Sequence, residues 1–127
     1  VACIEACPTD AIREPFVVDA QRCLAFHTIE NRDPDLPDSI KRSLGPWIAG
    51  CDICQDVCPW NHRDLPSSED PDMQPRPWLL NVNAQDLQNW DDATWDQQLR
   101  GSALRRIKPW MWRRNAAAAQ PDLPPNL

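Results

Sequence analysis

Six cysteines constrain this chain more than any other feature. Cys3-Ile4-Glu5-Ala6-Cys7-Pro8 and Cys54-Gln55-Asp56-Val57-Cys58-Pro59 share one pattern, Cys-x3-Cys-Pro. That pattern is the tail of a longer run, Cys-x2-Cys-x2-Cys-x3-Cys-Pro, whose first three thiolates hold one 4Fe–4S cluster and whose fourth reaches a second. The spacing has a chemical reason. A cubane presents four irons, each wanting one thiolate. A tight loop supplies three of them, and the next helical turn carries the last cysteine to a neighbour. The proline then turns the chain aside. Two such ends imply two clusters that trade ligands.

Two clusters need eight thiolates, and six cysteines are present. Extrapolating the run backward from Cys3 places the missing pair upstream of Val1, one directly before it and the other three residues earlier. Val1 is not an initiator Met, and the opening "VACIEACPTDAI" begins inside a motif. The N-terminus is therefore read as a cut. The second run is irregular, because only Cys51 precedes Cys54 at the right spacing. One ligand is missing locally, and Cys23 is the spare cysteine. This assigns Cys7, Cys23, Cys51 and Cys54 to one cluster. Cys3 and Cys58 go to the other, with the two upstream residues.

Two other readings of the thiols stay open. A structural zinc would take Cys51 and Cys54 with two more ligands, but it leaves the Cys-Pro pairs unexplained. Disulfides between cysteines two or three residues apart would be strained. His27 and His62 read as polar surface residues, since cysteines complete the ligand count.

Composition agrees that a metal centre helps hold the fold. The chain of 127 residues has 14 Pro, 3 Gly, 7 Trp, no Tyr and 2 Phe. Large aliphatic residues are sparse, so a self-sufficient core is not expected. No apolar run approaches the ~18 residues of a membrane span. The net charge is −6, yet Arg100, Arg105, Arg106, Lys108, Arg113 and Arg114 fall between Gln97 and Pro121 with no acid among them. A basic tail on an acidic body suggests an anionic partner at that end; a solvated helix face is the plainer alternative.

The expected fold class is α+β: a ferredoxin-like two-cluster domain over 1–62 with a short hairpin and short helices. A linker loop over 63–77, a helical segment over 78–120 and a frayed end over 121–127 follow. Pro8 to Ile12 leads into a strand, Arg13-Glu14-Pro15 turns it, and Phe16-Val17-Val18 returns it. Asp19 caps a turn or helix that delivers Cys23. Pro37-Asp38-Ser39 starts a helix from Ile40 to Leu44, stopped by Gly45-Pro46. Trp47 and Ile48 form an apolar lid near the second cysteine loop. In the tail, helices start near Asn83 or Asp86 and at Asp91. A third runs from Trp110 to Ala119 and ends at Pro121.

The stretches "ACIEACPTDAI", "RCLAFHTIE", "GCDICQDVCPWN" and "GSALRRIKPWMWRRNAAAA" resemble the C-terminal half of the epoxyqueuosine reductase family, over Val1 to about Ala119. The resemblance implies an oxidoreductase that reduces the epoxide of epoxyqueuosine in tRNA to the alkene of queuosine. It implies two 4Fe–4S clusters and a cobalamin held by an N-terminal domain. It also implies a cytoplasmic setting without membrane association, an external electron donor and a tail with HEAT-like packing. The family's ligand pattern matches the thiol assignment above, with the cluster of Cys3 and Cys58 nearer the cobalamin. The tRNA substrate, approached at its anticodon region, would meet Arg105, Arg106, Lys108, Arg113 and Arg114 through its phosphates. Trp110 or Trp112 would stack on a sugar or base, unless they serve the core. Two rival assignments are the iron–sulfur module of another cobalamin enzyme, such as a reductive dehalogenase, and a non-enzymatic ferredoxin-type electron carrier.

Overall fold

The computed structural model describes residues 1–63 and 67–120. The frayed end expected over 121–127 and residues 64–66 of the linker lie outside the described residues. Its elements are short, as a proline-rich, glycine-poor chain dictates. Helix α1 is Ala2–Glu5. Strands β1 (Ile12–Glu14) and β2 (Val17–Val18) form one antiparallel hairpin. Ile12 faces Val18, Glu14 faces Val17, and the register shifts between them. Strand β1 continues through Arg13 and Glu14, so the turn falls on Pro15 and Phe16, one step later than the sequence suggests. Phe16 adopts a left-handed φ of 68°, unusual for a bulky side chain.

The Asp19 carboxylate accepts a hydrogen bond from the Gln21 N–H at 3.0 Å. It starts the 3-10 turn Ala20–Arg22, as expected of a cap. Helix α2 (Leu24–Ile29) follows directly. Sequence alone does not predict it, because Phe, His, Thr and Ile are indifferent helix formers. Packing decides instead: Leu24, His27 and Thr28 lie on one buried face, at helical spacing. Helix α3 (Asp38–Ser43) begins after Pro37, and α4 (Ile53–Asp56) carries Cys54.

In the tail, Asn83 closes a capping box with Asp86 at the start of α5 (Ala84–Gln88). Asp91 caps α6 (Asp92–Leu99) through the Thr94 N–H at 2.7 Å. Arg76 donates to the Gln98 and Arg100 carbonyls at 3.0 and 2.9 Å, satisfying groups that the end of α6 leaves free. Gly101 then turns the chain at φ 72°. Helix α7 (Pro109–Ala118) opens with a proline, the residue best suited to a first helical position.

Two small cores hold these pieces. Leu24, Leu36, Ile40 and Leu44 form one, with Trp47, Cys51 and Ala118 packed against it. Leu87, Leu99, Ile107, Met111, Trp112 and Ala116 form the other. The second core also takes in Ile29, Ile48 and Ala49 from the cysteine-bearing half, and Ala118 of α7 reaches the first. The tail is thus built into the cysteine-bearing half rather than hung from it. Trp78, Trp90 and Trp112 pack ring against ring, with centroids 5.1 and 5.9 Å apart, a spacing favourable for edge and tilted aromatic pairs.

Leu99 is fully buried, whereas its neighbour Arg100 is exposed and paired with Asp96 at 2.8 Å. Leu99→Ala is expected to cost about 2–5 kcal/mol through the cavity it leaves. Arg100→Ala should cost under ~1 kcal/mol. Chemical denaturation of the full-length holoprotein checks both; equal costs would contradict the packing described.

Candidate iron–sulfur centres

Four thiols from three separate stretches line one cavity. Cys7, Cys23, Cys51 and Cys54 share its walls with Ala11, Ile12, Val18, Leu24 and Ile53, around about 220 Å³. Apart from the thiols and Thr9, the lining is apolar. All six cysteines are free thiols. Among the described residues, no three His, Cys, Asp or Glu side chains gather tightly enough to hold one ion. A four-iron cubane keeps its thiolates farther apart than a tetrahedral zinc does, since sulfur sits only ~2.3 Å from zinc.

Local structure explains each position. Cys7 leaves α1 and enters a turn closed by Asp10, whose N–H donates to the Cys7 carbonyl at 3.2 Å; Asp10 has φ 50°. The turn aims the Ala11 N–H at Cys7 Sγ, 3.2 Å away. Cys23 sits at the junction between the 3-10 turn and α2. Gly50 presents Cys51 with φ 86°, a conformation that favours glycine. Its N–H donates to Thr28 Oγ1 at 3.0 Å, tying the Cys51 loop to the Cys23 helix. Cys54 lies on α4, anchored by buried Ile53.

Electrostatics follow from this placement. Burial pushes the Cys51 thiol up to about 11, and the neighbouring Cys54, Cys23 and Cys7 push the same way. Burial works against the Cys7 thiolate too, but hydrogen bonds from the Thr9, Ala11 and Ile12 backbone outweigh it and hold Cys7 below its ordinary value. Crowded, half-buried thiolates need a compensating cation. The donor set and the apolar walls therefore fit an iron–sulfur cluster. Cys3 lies on α1, and Cys58 follows α4. These two helices pack against each other, which brings the two stretches to one side of the molecule.

The five basic residues singled out in the tail are mostly engaged within the chain. Arg105 pairs with Asp96 at 2.7 Å and lies over the Trp95 ring. Arg106 pairs with Glu30, whose carboxyl is held below its usual range by that bond. Arg113 donates to the Trp90 carbonyl at 2.9 Å and to Asp92 at 3.1 Å. Arg114 donates to the carbonyls of His27, Asn31 and Asp33 at 2.8, 3.0 and 2.6 Å. Lys108 is exposed and makes no ion pair among the described residues. Trp112 belongs to the core, while Trp110 is partly exposed beneath Arg114.

His27 corrects a sequence expectation. It is buried rather than on the surface, its Nε2 bonded to the Gln21 carbonyl at 2.9 Å and its Nδ1 to Asn31 Nδ2 at 3.0 Å. His62 is exposed, as expected. Sequence reading also missed Asn115, which is fully buried. Its Nδ2 donates to the Thr28 carbonyl at 2.8 Å and the Ile48 carbonyl at 2.9 Å. It thereby joins α7 to the segments that carry Cys23 and Cys51. Within "RRNAAAA" an asparagine gives no signal of such a role.

A family described as a 4Fe-4S double cluster binding domain matches residues 1–61. The first half of the chain is thus a two-cluster iron–sulfur module, with a helical tail packed onto it. An epoxyqueuosine reductase from Synechococcus sp. is 77% identical over 126 residues, covering 99% of this chain and 39% of that protein. Another, from Vibrio cholerae, is 44% identical over 123 residues, covering 97% of this chain and 33% of that protein. The solved structure of epoxyqueuosine reductase from Bacillus subtilis superposes with a TM-score of 0.83 at 29% identity, over 93% of this chain and 31% of that one. A crystal structure of epoxyqueuosine reductase with an epoxyqueuosine-modified tRNA-Tyr stem loop gives a TM-score of 0.75 at 30% identity, over 91% of this chain and 30% of that one. The chain belongs to the epoxyqueuosine reductase family, and it spans well under half the length of these relatives.

Asn115→Ala leaves the Thr28 and Ile48 carbonyls without their donor. It is expected to lower stability by about 1–3 kcal/mol and to speed iron loss to a chelator, read by absorbance in the visible cluster bands. Chelation at the unmodified rate would contradict the tie between α7 and the cysteine loops.

Proposed function

We propose that this chain is the electron-carrying part of an oxidoreductase that reduces epoxyqueuosine to queuosine in tRNA. One observation carries the reading. Four thiols from three separate stretches meet at one apolar cavity, in a chain 77% identical to an epoxyqueuosine reductase. Cys7, Cys23, Cys51 and Cys54 hold one 4Fe–4S cluster. Cys3 and Cys58 serve a second, completed by two thiolates from outside these residues.

Turning an epoxide into an alkene and water consumes two electrons and two protons. Iron–sulfur clusters bound at these cysteines supply electrons singly, so a pair suits a two-electron reduction made in steps. The chain's own residues set the conditions. The Ala11 N–H at Cys7 Sγ draws off negative charge and favours reduction. Ile12, Val18, Leu24 and Ile53 keep the cavity wall apolar. Asn115 and Thr28 hold the Cys23 and Cys51 segments in register.

The family resemblance also implies cobalamin. Four cavities among the described residues, about 220 to 330 Å³, are small for a corrin macrocycle, so no step here is derived through it. In this reading it belongs to another part of the enzyme, as does the proton donor. No helix among the described residues is long and apolar enough to cross a membrane, and a cytoplasmic setting fits a tRNA substrate. Of the five basic residues, Lys108 and Arg106 carry the phosphate contact furthest, because both are exposed. Arg105, Arg113 and Arg114 hold the tail together first.

Two measurements test the reading. Cys23→Ser in the full-length, anaerobically purified enzyme is expected to lower iron from about eight to about four per chain and to abolish epoxyqueuosine reduction. Full iron with normal turnover rejects the assignment. Lys108→Glu should weaken binding of the modified tRNA stem loop and reduce the salt slope of the affinity by about one. Unchanged binding across salt removes Lys108 from the interface.

A further inference from the structure

A second, polar cavity lies against the thiol-lined one. It measures about 270 Å³, and its walls include Thr9, Asp10, Gln21, Arg22, Ser39 and Arg42. Pro8 and Thr9 line both cavities, so one loop is the wall between them. Cys7 precedes Pro8 and Cys23 follows Arg22. Two of the four thiols in the inner cavity are thus one peptide bond from the outer groove. Ser43 holds α3 against the same loop, its hydroxyl donating to the Pro8 carbonyl at 3.5 Å.

The arginines of this groove differ from those of the tail. Arg100, Arg105, Arg106 and Arg113 all form ion pairs, and Arg114 donates to three backbone carbonyls. Arg22 and Arg42 are exposed, and among the described residues their side chains make neither an ion pair nor a hydrogen bond. The groove holds one acid, Asp10, against these two guanidiniums. A locally cationic groove on a chain of net charge −6 is a feature that charge composition alone does not require.

We propose that this groove is where a small acidic one-electron carrier protein docks to reduce the cluster of Cys7, Cys23, Cys51 and Cys54. The proposal rests on the functional reading above. Electron tunnelling falls steeply with distance, so the donor must approach where little protein intervenes, and this groove shares Pro8 and Thr9 with the thiol cavity as a common wall. Arg22 and Arg42 present planar forks that suit carboxylates, and Thr9, Gln21, Ser39 and Ser43 add hydrogen-bonding groups around them. Opposite charge steers the encounter and sets orientation. Each encounter oxidises the carrier by one electron and reduces the enzyme by one. Two encounters and two protons convert one epoxide to an alkene and one water.

The test uses full-length holoenzyme and two reductants, an acidic reduced ferredoxin and reduced methyl viologen, a small dication. In the unmodified enzyme the ferredoxin-driven rate should fall as salt rises, while the viologen-driven rate holds steady. For the double variant Arg22→Glu with Arg42→Glu, the KM for ferredoxin should rise about tenfold or more. Iron content, viologen-driven rate and affinity for the modified tRNA stem loop should stay at the unmodified level. The milder pair Arg22→Gln with Arg42→Gln should give an intermediate KM, and it decides the matter if the charge-reversed protein does not hold its iron. A ferredoxin KM unmoved in either variant overturns the docking site. So does a tRNA affinity that falls instead, which would make the groove a phosphate contact. Absence of epoxide reduction with viologen in the unmodified enzyme overturns the functional reading itself, and is thereby distinguished from failure of the groove.

Discussion

Bringing four thiols together is unfavourable without a metal centre to repay it. Burial alone resists charge at Cys51, and each neighbouring sulfur adds to the cost. Much of the remaining architecture serves that gathering. Helix α1, the 3-10 turn before Cys23, the Gly50 turn and α4 each deliver one sulfur to the cavity. None of these elements is long enough to be stable alone. Their positions come from packing and from hydrogen bonds such as those of Thr28 and Ala11.

The tail takes part in the same device. Asn115 and Arg114, adjacent on α7, reach carbonyls of His27, Thr28, Asn31, Asp33 and Ile48. These carbonyls lie in α2, just beyond its end, or in the approach to Gly50. An amide and a guanidinium thereby satisfy backbone groups of which all but that of Asp33 belong to buried or half-buried residues, where a missing partner is costly. This use of Arg114 explains why a run of basic residues need not form a free cationic surface. Positive charge in the sequence is divided here between internal fasteners in the tail and exposed guanidiniums, without an ion pair among the described residues, in the groove next to the thiol cavity.

Much of this was legible before any coordinates. The Cys-x3-Cys-Pro repeats and the spare Cys23 named the four cavity thiols, because cluster chemistry fixes spacing tightly. Asp19, Asn83 and Asp91 marked element starts, since a short polar side chain beside a helix start has a specific hydrogen-bonding job. Helix α2 was not legible, because its existence depends on Leu24 and Thr28 finding a core formed by distant residues. His27 and Asn115 were misread or missed for the same reason: burial of a polar side chain depends on partners up to 87 positions away. The arginine fasteners were invisible too, since charge in sequence carries no record of the carbonyl that will meet it.

Iron-edge anomalous diffraction from crystals of the reconstituted full-length enzyme tests the central claim most directly. The account predicts compact iron density bonded to the sulfurs of Cys7, Cys23, Cys51 and Cys54, and a second such density bonded to Cys3 and Cys58. A map in which Cys23 contacts no iron, or in which a single zinc peak stands between Cys51 and Cys54, would contradict it.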